Sequence, residues 1–162
     1  MKFLYIFLFL VSSSIFKPDI AQIREDFKLA TSNRESAEAL RNKLEPITKK
    51  DDKLLVAYKG AVMALSAKFT KDNAERKSLF KNGILLLEYS VSQKPENIEI
   101  RCLRLSIQEN SPKFLKYKSN IDEDRTFILN HYQKTNSQVV KDFVKSFVLQ
   151  SAEFNTEEKQ RF

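Results

Sequence analysis

Glycine is scarce in this chain: two of the 162 residues are glycine and four are proline. The tight turns of β-hairpins need residues with φ > 0, a conformation that glycine adopts most easily, so this chain has few ways to connect antiparallel strands. No segment has the strict alternation of apolar and polar residues that is typical of a half-buried strand. We therefore expect an all-α fold.

Apolar residues recur along the chain at the 3.6-residue period of amphipathic helices. In the first such segment, Asp19 stands at the N-cap position ahead of Ile20 and Ile23. The same pattern predicts further helices that begin near Arg34, Lys53, Ala74, Glu96, Asp122 and Ser137, with short helical turns after Pro112 and Asn155. Short connections separate these helices, which favours stacked antiparallel helical hairpins in a single domain, residues 19–162.

Two segments give specific predictions about the core. The short turn after Pro112 is expected to have Ser111 as its N-cap and to bring Phe114, Leu115 and Tyr117 toward the core. The last long helix has a predicted apolar seam, which consists of Val140, Phe143, Val144, Phe147 and Leu149 or Gln150.

The stretch from Gly83 to Pro95 has small residues at Gly83 and Ser90, with the bulky Leu87 between them. In this spacing it resembles the second helix of a tetratricopeptide repeat, and Gly60 stands where the partner helix would have its small residue. The resemblance implies a right-handed array of helical hairpins, in which small residues let the paired helices interlock. The connection between the two glycines is about eleven residues longer than in that family.

A second resemblance covers the middle of the chain. Pro95-Glu96-Asn97 leads into Glu99, Arg101 and Arg104, and Ser111-Pro112, Leu115, Tyr117 and Ile121 follow. In these residues the chain is similar to small exported all-helical proteins of unknown function. That resemblance implies a fold without an activity.

The N-terminus has the order of a secretory leader: Lys2, the apolar run Phe3–Val11 and then the small residues Ser12–Ser14. The run is shorter than the roughly 20 apolar residues that cross a bilayer. We therefore expect residues 1–14 to be a cleaved signal peptide, with cleavage after Ala21 as the later alternative. An uncleaved anchor or a buried N-terminal helix is the competing interpretation. The cleaved form is exported, to the periplasm or the medium, without a transmembrane anchor in the mature chain.

Few residues of the chain can carry enzyme chemistry. His131 is the one histidine, and an imidazole without an orienting partner is more often structural than catalytic. Cys102 is the one cysteine; we expect a buried small side chain, with a reactive or dimer-forming thiol as the alternative. Asp122, Glu123 and Asp124 start a helix, where the macrodipole stabilises them, and they lack the spacing of a calcium loop. We expect a non-enzymatic protein with no catalytic residue, cofactor or metal.

The chain is basic, with a formal net charge of +7. Acidic residues interleave most of the basic ones, which is typical of a solvated surface, so we expect no specific nucleic-acid recognition. Lys113, Lys116, Tyr117 and Lys118 come nearest to a basic patch with an aromatic residue. The alternative to a solvated face is therefore a site that binds polyanions, either anionic glycans or lipid head groups.

Arg101 and Arg104 are three residues apart on one predicted helix. They either pair with Glu88 or Glu99 and join adjacent hairpins, or point into a groove and bind a carboxylate. With Tyr117 they are the candidate partner-binding or structural-pair residues. The sequence favours an exported helical scaffold that binds a protein or peptide, and the alternative is a basic surface that binds polyanions of the cell envelope.

Overall fold

The computed structural model describes residues 18–162, and every regular element among them is helical. The all-α prediction is confirmed for this part of the chain, whereas the predicted leader, residues 1–14, lies outside it. A 3₁₀ turn covers Lys113–Leu115. The helices are α1 Ile20–Ala30, α2 Arg34–Lys43, α3 Lys53–Ser66, α4 Asn73–Gln93, α5 Ile98–Glu109, α6 Ile121–His131, α7 Gln138–Gln150 and α8 Thr156–Lys159.

Most of these helices begin at a side-chain cap. Each capping side chain accepts a hydrogen bond from a backbone N–H of the first turn, which otherwise has no partner within the helix. The capping residues are Asp19, Asn33, Asp52, Asp72, Asn97, Ser137 and Asn155. At α8 the cap is reciprocal, because the Glu158 side chain accepts in turn from the Asn155 backbone. The predicted cap Asp19 is confirmed, and Ser137, predicted to start the last long helix, is the N-cap of α7.

Consecutive helices pack in pairs: α1 with α2, α3 with α4, and α5 with α6. Helix α5 also contacts α3, α4 and α7, so it lies at the centre of the fold. Its apolar residues Ile100, Cys102, Leu103 and Leu105 are at most 1% exposed. The predicted burial of the Cys102 side chain is confirmed. Because α5 has helices on several sides, its polar residues are also buried, and they need partners within the protein.

Helices α3 and α4 approach closely at two glycines. A Cβ atom built on Gly83 would lie 2.5 Å from the backbone N of Ala64 and 2.6 Å from the carbonyl O of Gly60. A Cβ on Gly60 would lie 2.7 Å from the carbonyl O of Gly83 and 2.8 Å from the backbone N of Leu87. These distances are too short for any side chain, so this helix crossing requires glycine at both positions. The contacts also show that α3 and α4 run antiparallel.

The predicted core position of Phe114 and Leu115 is wrong, although Tyr117 is buried. Phe114 is 79% exposed and Leu115 is 37% exposed. Ser111 does not cap the turn, because its hydroxyl donates back to the carbonyl O of Ile107 at 2.5 Å. The helical turn then ends after three residues, too few to carry an inward-facing stripe.

The seam predicted for α7 is correct at Phe143 and Val144 and wrong at its end. Val148 is fully buried, whereas Leu149 is 49% exposed and Gln150 is exposed. The reason is helical geometry: Val148 lies four residues after Val144 and therefore on the same face, while Leu149 is turned a further 100° away.

Candidate functional site

A groove with a volume of about 140 Å³ lies between α1 and α7, with α5 as its floor. Helix α5 contributes Leu103 and Cys102, both fully enclosed, and the walls carry the rings of Phe27, Phe143 and Phe147. The other lining residues are polar and lie toward solvent: Lys28, Thr31, Ser106, Ser146 and Gln150. The arrangement is an apolar cleft with hydroxyl, amide and ammonium groups around it.

The thiol of Cys102 belongs to the apolar part of this groove. Burial raises its pKa well above the ordinary value, and the nearby carboxylates Glu99 and Asp124 raise it further. The thiol therefore stays protonated at neutral pH and acts as a small apolar surface rather than a nucleophile.

A network of ion pairs lies on the opposite side of α5, between α5 and α6. The guanidinium of Arg104 donates to Asp124 through two nitrogens, with Nε to Oδ2 and Nη2 to Oδ1 both at 2.7 Å. Arg101 donates from Nη1 to Asp124 Oδ1 at 2.9 Å and to Glu123 Oε1 at 2.5 Å. Its Nε donates to the carbonyl O of Pro95 at 2.8 Å. Asp124 is fully buried, and both arginines are less than a tenth exposed.

The same network extends to α4 and to the loop after α5. Arg104 Nη1 lies 3.1 Å from Glu88 Oε2, and the Tyr117 hydroxyl donates to Glu88 Oε1 at 2.5 Å. Burial and the hydrogen bond to Glu88 raise the pKa of Tyr117 above its ordinary value. Burial alone would lower the pKa of Arg104, but its hydrogen bonds with Asp124 outweigh this and raise the pKa. The tyrosine stays neutral and the arginine stays charged.

The three residues singled out from the sequence, Arg101, Arg104 and Tyr117, thus meet in one network. Of the two acidic partners considered for the arginines, Glu88 contacts Arg104, while Glu99 pairs elsewhere. The residues singled out do not line the α1–α7 groove. Their side chains are directed at carboxylates of the protein itself, and they join α4, α5 and α6.

A second buried ion pair joins α1 to α5. Arg24 donates to Glu99 with Nε to Oε1 at 2.7 Å and Nη2 to Oε2 at 2.8 Å, and the Tyr58 hydroxyl donates to Glu99 Oε1 at 2.6 Å. Tyr58 is fully buried, and burial together with the Glu99 charge raises its pKa. The hydrogen bond with Glu99 raises the pKa of Arg24. This bidentate pair with a phenol donor leaves neither charge without a partner.

Sequence reasoning missed the Arg24–Glu99–Tyr58 cluster and the burial of Asp124. A signal was present for Arg24, which lies on the apolar stripe of α1 between Ile23 and Phe27. A charged residue on a core-facing stripe requires a buried partner of opposite charge. In the sequence, the position of Asp124 at the start of a helix already accounted for its negative charge. Its second role, as the buried partner of Arg101 and Arg104, was therefore not predicted.

His131 is held by its own helix. Its Nδ1 lies 2.8 Å from the carbonyl O of Phe127, and the two rings are stacked with centroids 3.8 Å apart. Nε2 lies 3.7 Å from the exposed carboxylate of Glu96. Among residues 18–162, no group of three or more histidine, cysteine, aspartate or glutamate side chains is arranged to hold a metal ion. No helix in the same range is long and apolar enough to cross a membrane.

Comparison with known proteins gives no relative. The chain matches no protein-family model, and no curated protein or solved structure is significantly similar to it.

Proposed function

We propose that this chain is an exported, non-enzymatic helical module that binds a protein partner, and that one apolar side chain of the partner fills the α1–α7 groove. The observation that carries the proposal is the groove itself, an open apolar cleft of about 140 Å³ whose floor and walls come from three helices.

The size of the groove favours a single side chain over a cofactor or metabolite. Sites for drug-sized ligands are typically about 300–1,000 Å³, whereas a cavity of about 150 Å³ holds one benzene molecule. A groove of about 140 Å³ therefore matches one phenylalanine or leucine side chain. Protein interfaces concentrate much of their binding energy in such pockets, which one apolar anchor fills and polar contacts surround.

The rim of the groove fits a peptide that carries such an anchor. The rim carries the hydroxyl groups of Thr31, Ser106 and Ser146 and the amide of Gln150. Thr31 Oγ1 donates to the carbonyl O of Lys28 at 2.7 Å, and Gln150 Nε2 donates to Ser146 Oγ at 3.5 Å, so the oxygen atoms of these side chains are left to accept from N–H groups of a peptide backbone. Lys28 is paired with Glu25 at 2.8 Å, but both side chains are exposed, so this ion pair contributes little. Lys28 is thus available to an acidic residue of the partner that lies next to the anchor.

The packing of α3 and α4 supports a repeat-like arrangement of the hairpins. The close approach at Gly60 and Gly83 is the contact that the resemblance to tetratricopeptide repeats requires of a helix pair. We extend this to a right-handed array of hairpins, an architecture that commonly serves protein binding.

Export to the periplasm or the medium follows from the predicted leader. Of the two proposed cleavage positions, the one after Ser14 is compatible with an intact α1. Cleavage after Ala21 would remove the N-cap Asp19, which accepts a hydrogen bond from the Ala21 backbone at 2.9 Å, together with Ile20. The mature chain therefore begins near residue 15 in this proposal.

We assign no catalytic role to the titratable groups. The Cys102 thiol is enclosed and its pKa is raised, and His131 is bonded to its own helix turn. The ionised groups near α5 are paired with one another. These contacts give His131 and the ionised groups structural partners, and the Cys102 side chain is packed in the core.

Selection from a displayed peptide library on residues 15–162 tests the proposal. Selected peptides are expected to share a phenylalanine or leucine anchor, because the groove accepts one such side chain. Ser146→Trp places a large ring in the groove and is expected to weaken binding by about thirtyfold or more, the effect of losing one interface hot spot.

Asn82→Trp is the matched control, because Asn82 is exposed on α4 and lies outside the groove. Isothermal calorimetry of both variants with the selected peptides gives the comparison. Peptides without an apolar anchor, or equal affinity for the two tryptophan variants, would refute the groove as the binding site.

A further inference from the structure

We propose that the loop between α5 and α6, residues 111–118, docks the protein onto the surface of an anionic lipid bilayer. This surface is separate from the α1–α7 groove, and the proposal does not depend on the proposed function. Its starting point is the exposure of Phe114 at 79% beside the partly exposed Leu115.

The two ends of the loop are fixed in the protein. Ser111 is buried and its hydroxyl is bonded to the carbonyl O of Ile107 at 2.5 Å. Tyr117 is also buried, with its hydroxyl bonded to Glu88 and its ring packed edge-on against Phe80, centroids 5.9 Å apart. Between these fixed ends, Phe114 is held out of the core. The exposure of such a large apolar side chain to water is energetically unfavourable.

The backbone of the loop supports this outward presentation. Lys116 has φ 51, in the left-handed region, and it is the one such residue in the described part of the chain. Lys116 is the C-cap of the 3₁₀ turn, and its backbone N–H donates to the carbonyl O of Lys113 at 3.1 Å, so the left-handed conformation ends the turn at this residue. The turn thus ends directly after Leu115, and the exposed apolar residues Phe114 and Leu115 form what we call the tip of the loop.

Basic side chains surround the apolar tip. Lys113 and Lys116 are exposed, and neither forms an ion pair with any residue from 18 to 162. Lys118 is half-buried and donates to the carbonyl O of Glu109 at 2.8 Å, which holds its charge beside the loop. Lys77 lies one turn before Phe80 on the same side of α4, and Phe80 contacts Tyr117.

The acidic groups beside the loop are already engaged. Glu88 accepts hydrogen bonds from Tyr117 and Arg104. Glu109 accepts from the Ser151 hydroxyl at 2.5 Å, and burial raises its pKa. Arg104 offsets the charge of Glu88, and Glu109 is half-buried, whereas the ammonium groups of Lys113 and Lys116 are exposed. The exposed charge beside Phe114 and Leu115 is therefore positive, which complements an anionic bilayer.

The combination of residues favours a bilayer over a glycan or a nucleic acid. Lysines attract anionic head groups, and an aromatic and an aliphatic side chain at the same tip enter the interfacial layer below those head groups. A polyanion in solution would use the lysines and leave Phe114 and Leu115 in water. The contribution of Phe114 and Leu115 to binding therefore distinguishes a bilayer from a soluble polyanion.

A tryptophan at the tip gives a direct readout, because the natural chain contains no tryptophan. Residues 15–162 with Phe114→Trp are mixed with vesicles of phosphatidylcholine alone or with one third phosphatidylglycerol. With the anionic vesicles we expect a blue shift of the emission and quenching by lipids brominated on the acyl chain. Leu149→Trp, at an exposed position on α7, is the matched control and should show neither effect.

Flotation assays with the same vesicles separate the apolar contribution of Phe114 from the electrostatic contribution of the lysines. Phe114→Ala is expected to weaken vesicle binding by about tenfold, because it removes most of the apolar contact. Lys113→Gln and Lys116→Gln should each weaken it by about fivefold at low salt. Lys145→Gln, an exposed lysine on α7, should have little effect. Circular dichroism checks that each variant is folded.

Three results would overturn the proposal. The first is equal binding to neutral and anionic vesicles, and the second is binding of Phe114→Ala at the strength of the natural chain. The third is binding to heparin or DNA, with no flotation on vesicles, which would assign the loop to soluble polyanions.

Discussion

The α3–α4 and α5–α6 hairpins are held together by different interactions. Between α3 and α4, two glycines bring the backbones into contact, and no side chain fits at the crossing. Between α5 and α6, two buried guanidinium groups share the carboxylate of Asp124. The first interface depends on the absence of side chains, and the second depends on charged side chains that are fully partnered.

The two interfaces should therefore respond differently to the same perturbations. Close backbone packing loses stability when volume is added and is insensitive to pH and salt. A buried charge network loses stability when one partner is removed, because the remaining charges stay in a low-dielectric environment without compensation. Asp124 and Gly83 are the residues at which this difference is best tested.

Asp124→Ala is expected to have the largest effect. The variant removes the buried partner of Arg101. Arg104 keeps Glu88 and Glu123 as partners, but their carboxylates are half exposed. Breaking a buried ion pair by removing one partner typically costs about 3–5 kcal/mol. Urea denaturation at pH 7 measures the free energy of unfolding.

Asp122→Ala is the matched control, because Asp122 lies in the same first turn of α6 and its side chain is 92% exposed. Both variants lose one charge near the N-terminal end of the helix dipole, so the difference between them isolates the buried network. A loss below about 1 kcal/mol for Asp124→Ala would contradict the importance of these ion pairs.

Gly83→Ala tests the other interface and is expected to cost about 1–3 kcal/mol. The added Cβ would meet the backbone of Ala64 at 2.5 Å and that of Gly60 at 2.6 Å, so α3 and α4 must move apart. The cost arises although alanine favours a helix by about 1 kcal/mol over glycine.

Asn82→Ala is the control for this prediction, since Asn82 is exposed on the same helix. It should leave stability unchanged or raise it slightly through helix propensity. If Gly83→Ala is as stable as the natural chain in urea denaturation, the close crossing of α3 and α4 is not required for stability.

The helices and several caps were predictable because their signals are local in sequence. Asp19 and Ser137 stand directly before amphipathic segments, and the hydrogen bonds that they make span two or three residues. The importance of Gly60 and Gly83 was also visible, because glycine is disfavoured within a helix unless a close contact requires it. Their contact across α3 and α4 needed only the correct pairing of neighbouring helices.

The candidate sites were harder to predict because they depend on distant contacts. Arg24 and Glu99 are 75 residues apart, and helical periodicity does not identify which two stripes meet. The α1–α7 groove results from how three helices pack, and its volume is not encoded in any one of them. Phe114 was predicted inward because Ser111 and Pro112 were expected to start a short helix, but the helical turn ends after three residues and leaves Phe114 in solvent.

Glu123→Gln is expected to have the smallest effect on stability. The pH dependence of that effect distinguishes the α5–α6 interface from the α3–α4 interface. Hydrogen bonds from Asn120 and Arg101 lower the pKa of Glu123 from 4.5 to about 2. A carboxylate whose pKa is lowered by folding stabilises the folded state fully above pH 4.5, and it loses this contribution as the pH falls to about 2. Because the side chain is 52% exposed, solvent screening limits the contribution at neutral pH to about 1 kcal/mol or less.

The natural chain should therefore be slightly more stable than Glu123→Gln at pH 7, and most of the difference should be lost near pH 2, where about half of the Glu123 carboxylates are protonated in the folded state. The deficit of Gly83→Ala should stay constant over the same range, since the atoms that the added Cβ would meet are backbone atoms of Gly60 and Ala64, which do not titrate. Urea denaturation of the three proteins between pH 7 and pH 2 makes this comparison. A Glu123→Gln deficit that does not change with pH would mean that the carboxylate acts through packing, and the charge-based account of the α5–α6 interface would then fail at this residue.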